Sequence, residues 1–79
     1  MIGILYHDHT ASLSQVIADL LTKNHFENKC IYDETLTKDD LVPCSLLINT
    51  TPNTYPCEKL NLIVDFFNTG KNIINLGTN

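Results

Sequence analysis

The sequence predicts an α/β fold built on a small, open, all-parallel sheet, and three observations predict it. Four short apolar runs of strand length recur along 79 residues, around Ile2–Tyr6, Cys30–Tyr32, Leu46–Ile48 and Ile73–Ile74. These runs are continuous rather than alternating, the pattern of strands covered on both faces. Between the first and second runs, and again between the third and fourth, apolar residues repeat at helical spacing. Alternating strands and helices imply parallel pairing, and right-handed crossovers leave few layouts. The expected strand order is 2-1-3-4, flavodoxin-like or Rossmann-like in type, with helices on both faces and one domain over residues 1–79.

Each element has its own signals. Ile2–Tyr6 is the first strand. Leu13, Val16, Ile17, Leu20 and Leu21 then recur as one face of an amphipathic helix, expected over 12–24 and expected to be core. Ser12 and Gln15 have the spacing of a capping box at its start. Residues 28–33 make a short second strand at an edge of the sheet. Within T-L-T-K-D-D-L-V-P, Thr37 can cap a single helical turn, and Pro43 prevents a longer one by excluding helical geometry from the residue before it. Leu46–Ile48 is the central strand, leading into the polar loop N-T-T-P-N-T-Y-P. Pro56 suits a first helical position. Leu60, Ile63, Val64 and Phe67 form the apolar face of the next helix and are likewise expected to be core, Gly70 supplies a left-handed stop, and residues 72–76 are the fourth strand.

Composition removes several classes of function. A 43% hydrophobic fraction without any long unbroken apolar run fits a globular chain that does not cross a bilayer. Net charge is −4, with five scattered lysines and no arginine, so the clustered positive charge of a nucleic-acid surface is absent. Without arginine, a phosphate here would depend on backbone N–H groups and hydroxyls. Three cysteines without C-x-x-C spacing, and no apolar signal segment, point to thiols in a reducing cytoplasm. Cys30 and Cys44 are expected to be small core residues. A chain this short buries only about 60–65% of its unfolded surface, so help from a ligand or partner is expected.

In open α/β sheets ligands collect outside the carboxyl ends of the strands. The side chains arriving there are Asp8, His9, Thr10 and Ser12 after the first strand, Thr50, Thr51, Asn53 and Tyr55 after the third, and Gly77 after the fourth. Their hydroxyls and amides suit a phosphate or a flat ring, aided by the N-terminus of the first helix, with Tyr55 as the stacking group. The alternative is that threonine, asparagine and proline here are ordinary loop residues.

These stretches resemble the N-terminal half of a flavodoxin-like domain. I-G-I-L-Y-H-D-H-T-A-S-L-S-Q-V-I-A-D-L-L is similar to the flavodoxin opening, where a strand enters a phosphate loop and then a helix. S-L-L-I-N-T-T-P-N-T-Y resembles the third strand and the segment that flavodoxins place beside the isoalloxazine ring. K-N-I-I-N-L-G-T-N is similar to the fourth strand and its exit. The resemblance covers nearly the whole chain and about half of a flavodoxin, and it implies a phosphorylated ligand, FMN or a nucleotide. The chain departs from the family at Asp8, which repels phosphate, and at Ala11, where glycine would bring the backbone closer. A second, weaker resemblance, to the first half of class I glutamine amidotransferase-like domains, lacks the nucleophilic cysteine, whose place is taken by Gly77, Thr78 and Asn79.

Two further constellations stand beside bland readings. His7, Asp8 and His9, with Asp33, Glu34 and Cys57 on neighbouring loops, have metal-ligand chemistry, although H-x-H alone is a weak signal and an ordinary polar loop is the favoured reading. Cys57, at a helix start, could act as a nucleophile given a histidine base. No catalytic residue is assigned. Finally, one helix per face leaves the third and fourth strands poorly covered on the first helix's side and the fourth strand with an open edge, which predicts a homodimer or a docked partner protein.

Overall fold

The computed structural model describes residues 1–51 and 57–76. Four strands, β1 (Ile2–Tyr6), β2 (Asn28–Tyr32), β3 (Leu46–Asn49) and β4 (Asn72–Asn75), form one sheet in the order β2-β1-β3-β4. All three pairings are parallel, with Ile4 aligned to Cys30 and to Ile48, and Ile48 to Ile74. The expected order and direction are both present, and β1 and β3 are adjacent.

Three α-helices connect the strands: α1 (Ala11–Lys23), the single turn α2 (Lys38–Leu41) and α3 (Cys57–Asn68). Thr37 caps α2 as its sequence suggests, its backbone N–H donating to the Asp40 carboxylate at 2.9 Å. Gly70 follows α3 with φ +88°, the left-handed geometry a side chain would strain. The predicted Pro56 start of this helix lies outside the described residues.

The core gathers on the face shared by α2 and α3, where Leu5, Ile31 and Leu47 of the strands meet Leu36, Leu41, Cys44, Ile63 and Phe66. Gly3 is required there by close approach: a Cβ on it would stand 2.8 Å from the Cys44 Sγ. The opposite face carries Ile4 and Ile48, both buried, with α1 packed over β1 and β2.

Three expectations are corrected. The start of α1 is not a Ser12–Gln15 box. A 3₁₀ turn over Asp8–Thr10 feeds straight into the helix, Ser12 is exposed, and the Gln15 amide donates to Asp19 at 2.9 Å. Of the apolar residues assigned to core, Leu13, Val16 and Leu20 on α1 and Leu60, Val64 and Phe67 on α3 are exposed. In α1 the buried side chains are instead the small Ser14 and Ala18, where the helix backbone comes close to the sheet, the Ser14 carbonyl standing 3.9 Å from the Cys30 sulfur. Cys30 is exposed rather than core, lying on the edge strand β2 with its sulfur 3.9 Å from the Ser14 carbonyl of α1; Cys44 is buried as expected.

Candidate functional site

The carboxyl ends of β1 and β3 converge on a polar cluster. The Thr50 hydroxyl donates to the Leu5 carbonyl at 2.8 Å and lies 3.0 Å from the Thr10 hydroxyl, which accepts from the His7 N–H at 3.0 Å. Asn49 stands beneath them. Its side-chain oxygen accepts from the Thr51 N–H at 3.0 Å and the Thr51 hydroxyl at 2.6 Å, while its amide donates to the Asn75 side-chain oxygen at 3.0 Å. Asn49, Thr50 and Thr51 are 1–2% exposed. The local sequence produces this directly: a polar residue ending an apolar parallel strand is buried by its neighbours and must find hydrogen bonds within the sheet.

Beside that cluster, at the ends of β1 and β2, the rim is acidic and aromatic. The His7 ring lies parallel to Tyr32, 6.1 Å between centroids, and its Nδ1 is 2.9 Å from the Asp33 carboxylate. That hydrogen bond raises the His7 pKa above its ordinary value, with the charges of Asp33, Asp8 and Glu34 adding to it and desolvation opposing. The Tyr32 hydroxyl donates to Asp8 at 2.8 Å and approaches Glu34 at 3.2 Å, and its pKa is raised, first by the bond to Asp8.

The sequence-predicted site therefore divides. Thr10, Thr50 and Thr51 come together, but their hydroxyls are engaged within the protein. Asp8, His9 and Ser12 are exposed, and Asp8 holds Tyr32. Asn53, Tyr55 and Gly77 lie outside the described residues. Among the described residues, no three histidine, cysteine or acidic groups come together as a metal site. Sequence reasoning overlooked Asn49 as the organiser of the cluster; its signal was an asparagine closing the apolar run before two threonines. Two clefts open at the opposite, amino-terminal edge. One of about 90 Å³ between α2 and α3 is lined by Leu41, Val42, Leu62 and Phe66, with Lys38 and Lys71 at its mouth. The other is a shallow surface beside Met1, His25 and Phe26.

A second surface of a different kind runs along β4, which among the described residues pairs only with β3. The Leu76 N–H donates to the Asn49 carbonyl at 2.8 Å, so by the alternation of a parallel strand the N–H and C=O of Ile73 and Asn75 point outward to the open edge. Helix α3 rests one flank, Leu62 and Phe66, against Leu41 and Val42 of the α2 segment. Its opposite flank therefore lies on the β4 side, and there Leu60, Val64 and Phe67 form a stripe that is 45–60% exposed. On the other face α1 packs over β1 and β2, leaving Ile74 of β4 46% exposed.

Fold and site together define a small parallel α/β sheet protein with a closed polar rim and an open apolar edge. Comparison with protein-family models, with curated proteins and with solved structures returned no match. No helix among the described residues is long and apolar enough to cross a membrane.

Proposed function

We propose that this chain is a non-enzymatic interaction module that docks another polypeptide along the outer edge of β4. The observation that carries this reading is the coincidence, on one edge, of strand backbone at Ile73 and Asn75, unpaired there by any other described strand, with an exposed apolar stripe at Leu60, Val64 and Phe67. An unpaired edge flanked by apolar side chains is a template for an added strand and its covering element. The cytoplasm, where free thiols such as Cys30 and Cys44 persist, is the setting this reading takes. The test compares polypeptides that co-purify with the tagged chain and with a Val64→Glu, Phe67→Glu variant, using Gln15→Glu as a control on α1. A stoichiometric polypeptide, an untagged copy of this chain included, should be lost from the double variant and kept by the control. Identical sets in all three would remove the reading.

A second reading is the phosphorylated ligand, FMN or a nucleotide, that the flavodoxin resemblance implies. What supports it is the convergence of the β1 and β3 exits at Thr10 and Thr50, where the winding direction of the sheet reverses. Weighing against it are the internal engagement of those hydroxyls and the three carboxylates of Asp8, Asp33 and Glu34 nearby, which raise the electrostatic cost of an anion. Titrating FMN into the purified chain should quench flavin fluorescence; unquenched fluorescence at high protein concentration excludes FMN.

A further inference from the structure

We infer that the polypeptide on the β4 edge is a second copy of this chain, paired β4 to β4 in antiparallel fashion across a twofold axis that passes through Ile74 normal to the sheet. The inference rests on the reading that this edge docks a polypeptide, and adds the partner and the register.

Register follows from the backbone. Two identical strands related by such an axis pair one residue with its own copy. With Ile74 on the axis, Ile73 of each copy faces Asn75 of the other, and these are the residues whose N–H and C=O groups point outward, so both outward residues of β4 are paired. With Ile73 on the axis, Asn75 would fall opposite Lys71, which precedes the strand. The Ile74 register also places the two Ile74 side chains together as a non-hydrogen-bonded pair, Cα atoms about 4.5 Å apart. Each covers the other where α1 leaves it bare.

The helices fit the same arrangement. Neighbouring strands are about 4.8 Å apart. A crossover helix centred over β3 and β4 would then lie about 10 Å from its twin, within the range at which helices pack. The stripes of Leu60, Val64 and Phe67 would face each other across the axis.

Charge explains why two molecules of net charge −4 can meet here. Lys59 and Asp65 of α3, and Lys71 on the approach to β4, are turned to the other flank. Lys59 Nζ donates to the Leu36 carbonyl at 2.6 Å, Lys71 Nζ to the Val42 carbonyl at 3.2 Å, and Asp65 lines the cleft against α2. The residues bordering the seam are Asn61, Asn68, Asn72 and Asn75, neutral in both copies. Covering the stripe, Ile74 and the strand backbone takes on the order of 600 Å² from each copy, close to the lower end of specific interfaces. The dimer is accordingly one that dilution separates, with a Kd on the order of micromolar.

Sedimentation equilibrium of the purified chain, from high nanomolar to high micromolar concentration, should show a reversible monomer–dimer step. Val64→Glu with Phe67→Glu should weaken it at least ~10-fold while circular dichroism keeps the fold. In a background carrying Cys30→Ser and Cys57→Ser, Ile74→Cys should oxidise to a covalent dimer and Val16→Cys should not. In the unaltered chain, the Ile73 and Asn75 amides should gain protection from hydrogen exchange as concentration rises. A chain that stays monomeric, or a dimer that leaves those amides unprotected and cross-links through Val16→Cys, overturns the inference. If the purified chain is monomeric while a different polypeptide is still lost from the double variant, the second copy is excluded and the docking edge stands; if nothing is lost either, both fall.

Discussion

The carboxyl rim of β1 and β3 and the outer edge of β4 belong to one short sheet and finish their polar groups in opposite ways. At the rim, Asn49, Thr50, Thr51 and Thr10 satisfy one another and the ends of two strands, so polar chemistry that looked available to a ligand is consumed by the fold. At the edge of β4 the backbone of Ile73 and Asn75 has no strand beside it among the described residues, and the apolar side chains nearby are half exposed. The comparison teaches that residue type alone does not mark a site. A threonine at a strand exit is a ligand only if its hydroxyl is unspent, and a leucine on an amphipathic helix is core only if something lies against it.

The strongest way to break this comparison is to damage the rim. Asn49→Leu deprives the Thr51 N–H and hydroxyl of their buried acceptor and Asn75 of its donor, and should cost about 1–3 kcal/mol. In urea the unfolding midpoint should fall with an unchanged slope. A change below about 0.5 kcal/mol would mean that the rim is not closed as described. The matching change at the edge should do the reverse: Val64→Glu with Phe67→Glu, studied at a dilution where the chain is monomeric, should stay within about 0.5 kcal/mol per site of the unaltered chain. The pair of results separates a surface that holds the fold from one that is spare.

A smaller effect sharpens the same distinction on the cysteines. Cys30 is exposed on the open side of β2, whereas Cys44 is 1% exposed and its thiol pKa is raised, chiefly by burial. Brief iodoacetamide treatment at neutral pH, followed by peptide mapping, should label Cys30 and spare Cys44 until urea is added. Equal labelling of both would show that the α2–α3 side of the sheet opens readily.

How much of this was legible beforehand differs between backbone and side chains. Strands announced themselves because Ile4, Leu5, Leu47 and Ile48 are covered on both faces and leave continuous apolar runs. Thr37 and Gly70 were equally plain, since each performs a local task that few residues perform. The facing of α1 was not legible. Its apolar spacing centres on Leu13, Ile17 and Leu20, but the residues buried are the small Ser14 and Ala18, where the Ser14 carbonyl stands 3.9 Å from the Cys30 sulfur of β2. Periodicity finds a helix; how deeply each flank is buried depends on what the rest of the sheet carries, and among the described residues nothing covers Ile74 on the α1 side of β4. The rim was half legible for the same reason. Thr10 and Thr50 were rightly placed at converging strand exits, but that Asn49 and the Leu5 carbonyl would occupy those hydroxyls depends on the register between β1 and β3, which no single segment encodes.

The smallest expected effect concerns the acidic corner of the rim. His7 is tied to Asp33 at 2.9 Å, with Asp8 and Glu34 adding negative charge and the rings of Tyr32 and His9 beside it. Its pKa in the folded chain is raised above the usual 6.5, so the folded state holds the proton more tightly than the unfolded one. The stabilisation is fully present below about pH 6.5 and is lost as pH rises through the elevated folded value. A midpoint of urea unfolding followed from mildly acidic to mildly alkaline pH should decline across that window in the unaltered chain. His7→Gln, which keeps a polar group at the end of β1 but does not titrate, should flatten this part of the profile. A decline that persists unchanged in His7→Gln would assign the proton to another group and leave the His7–Asp33 contact as geometry without linkage.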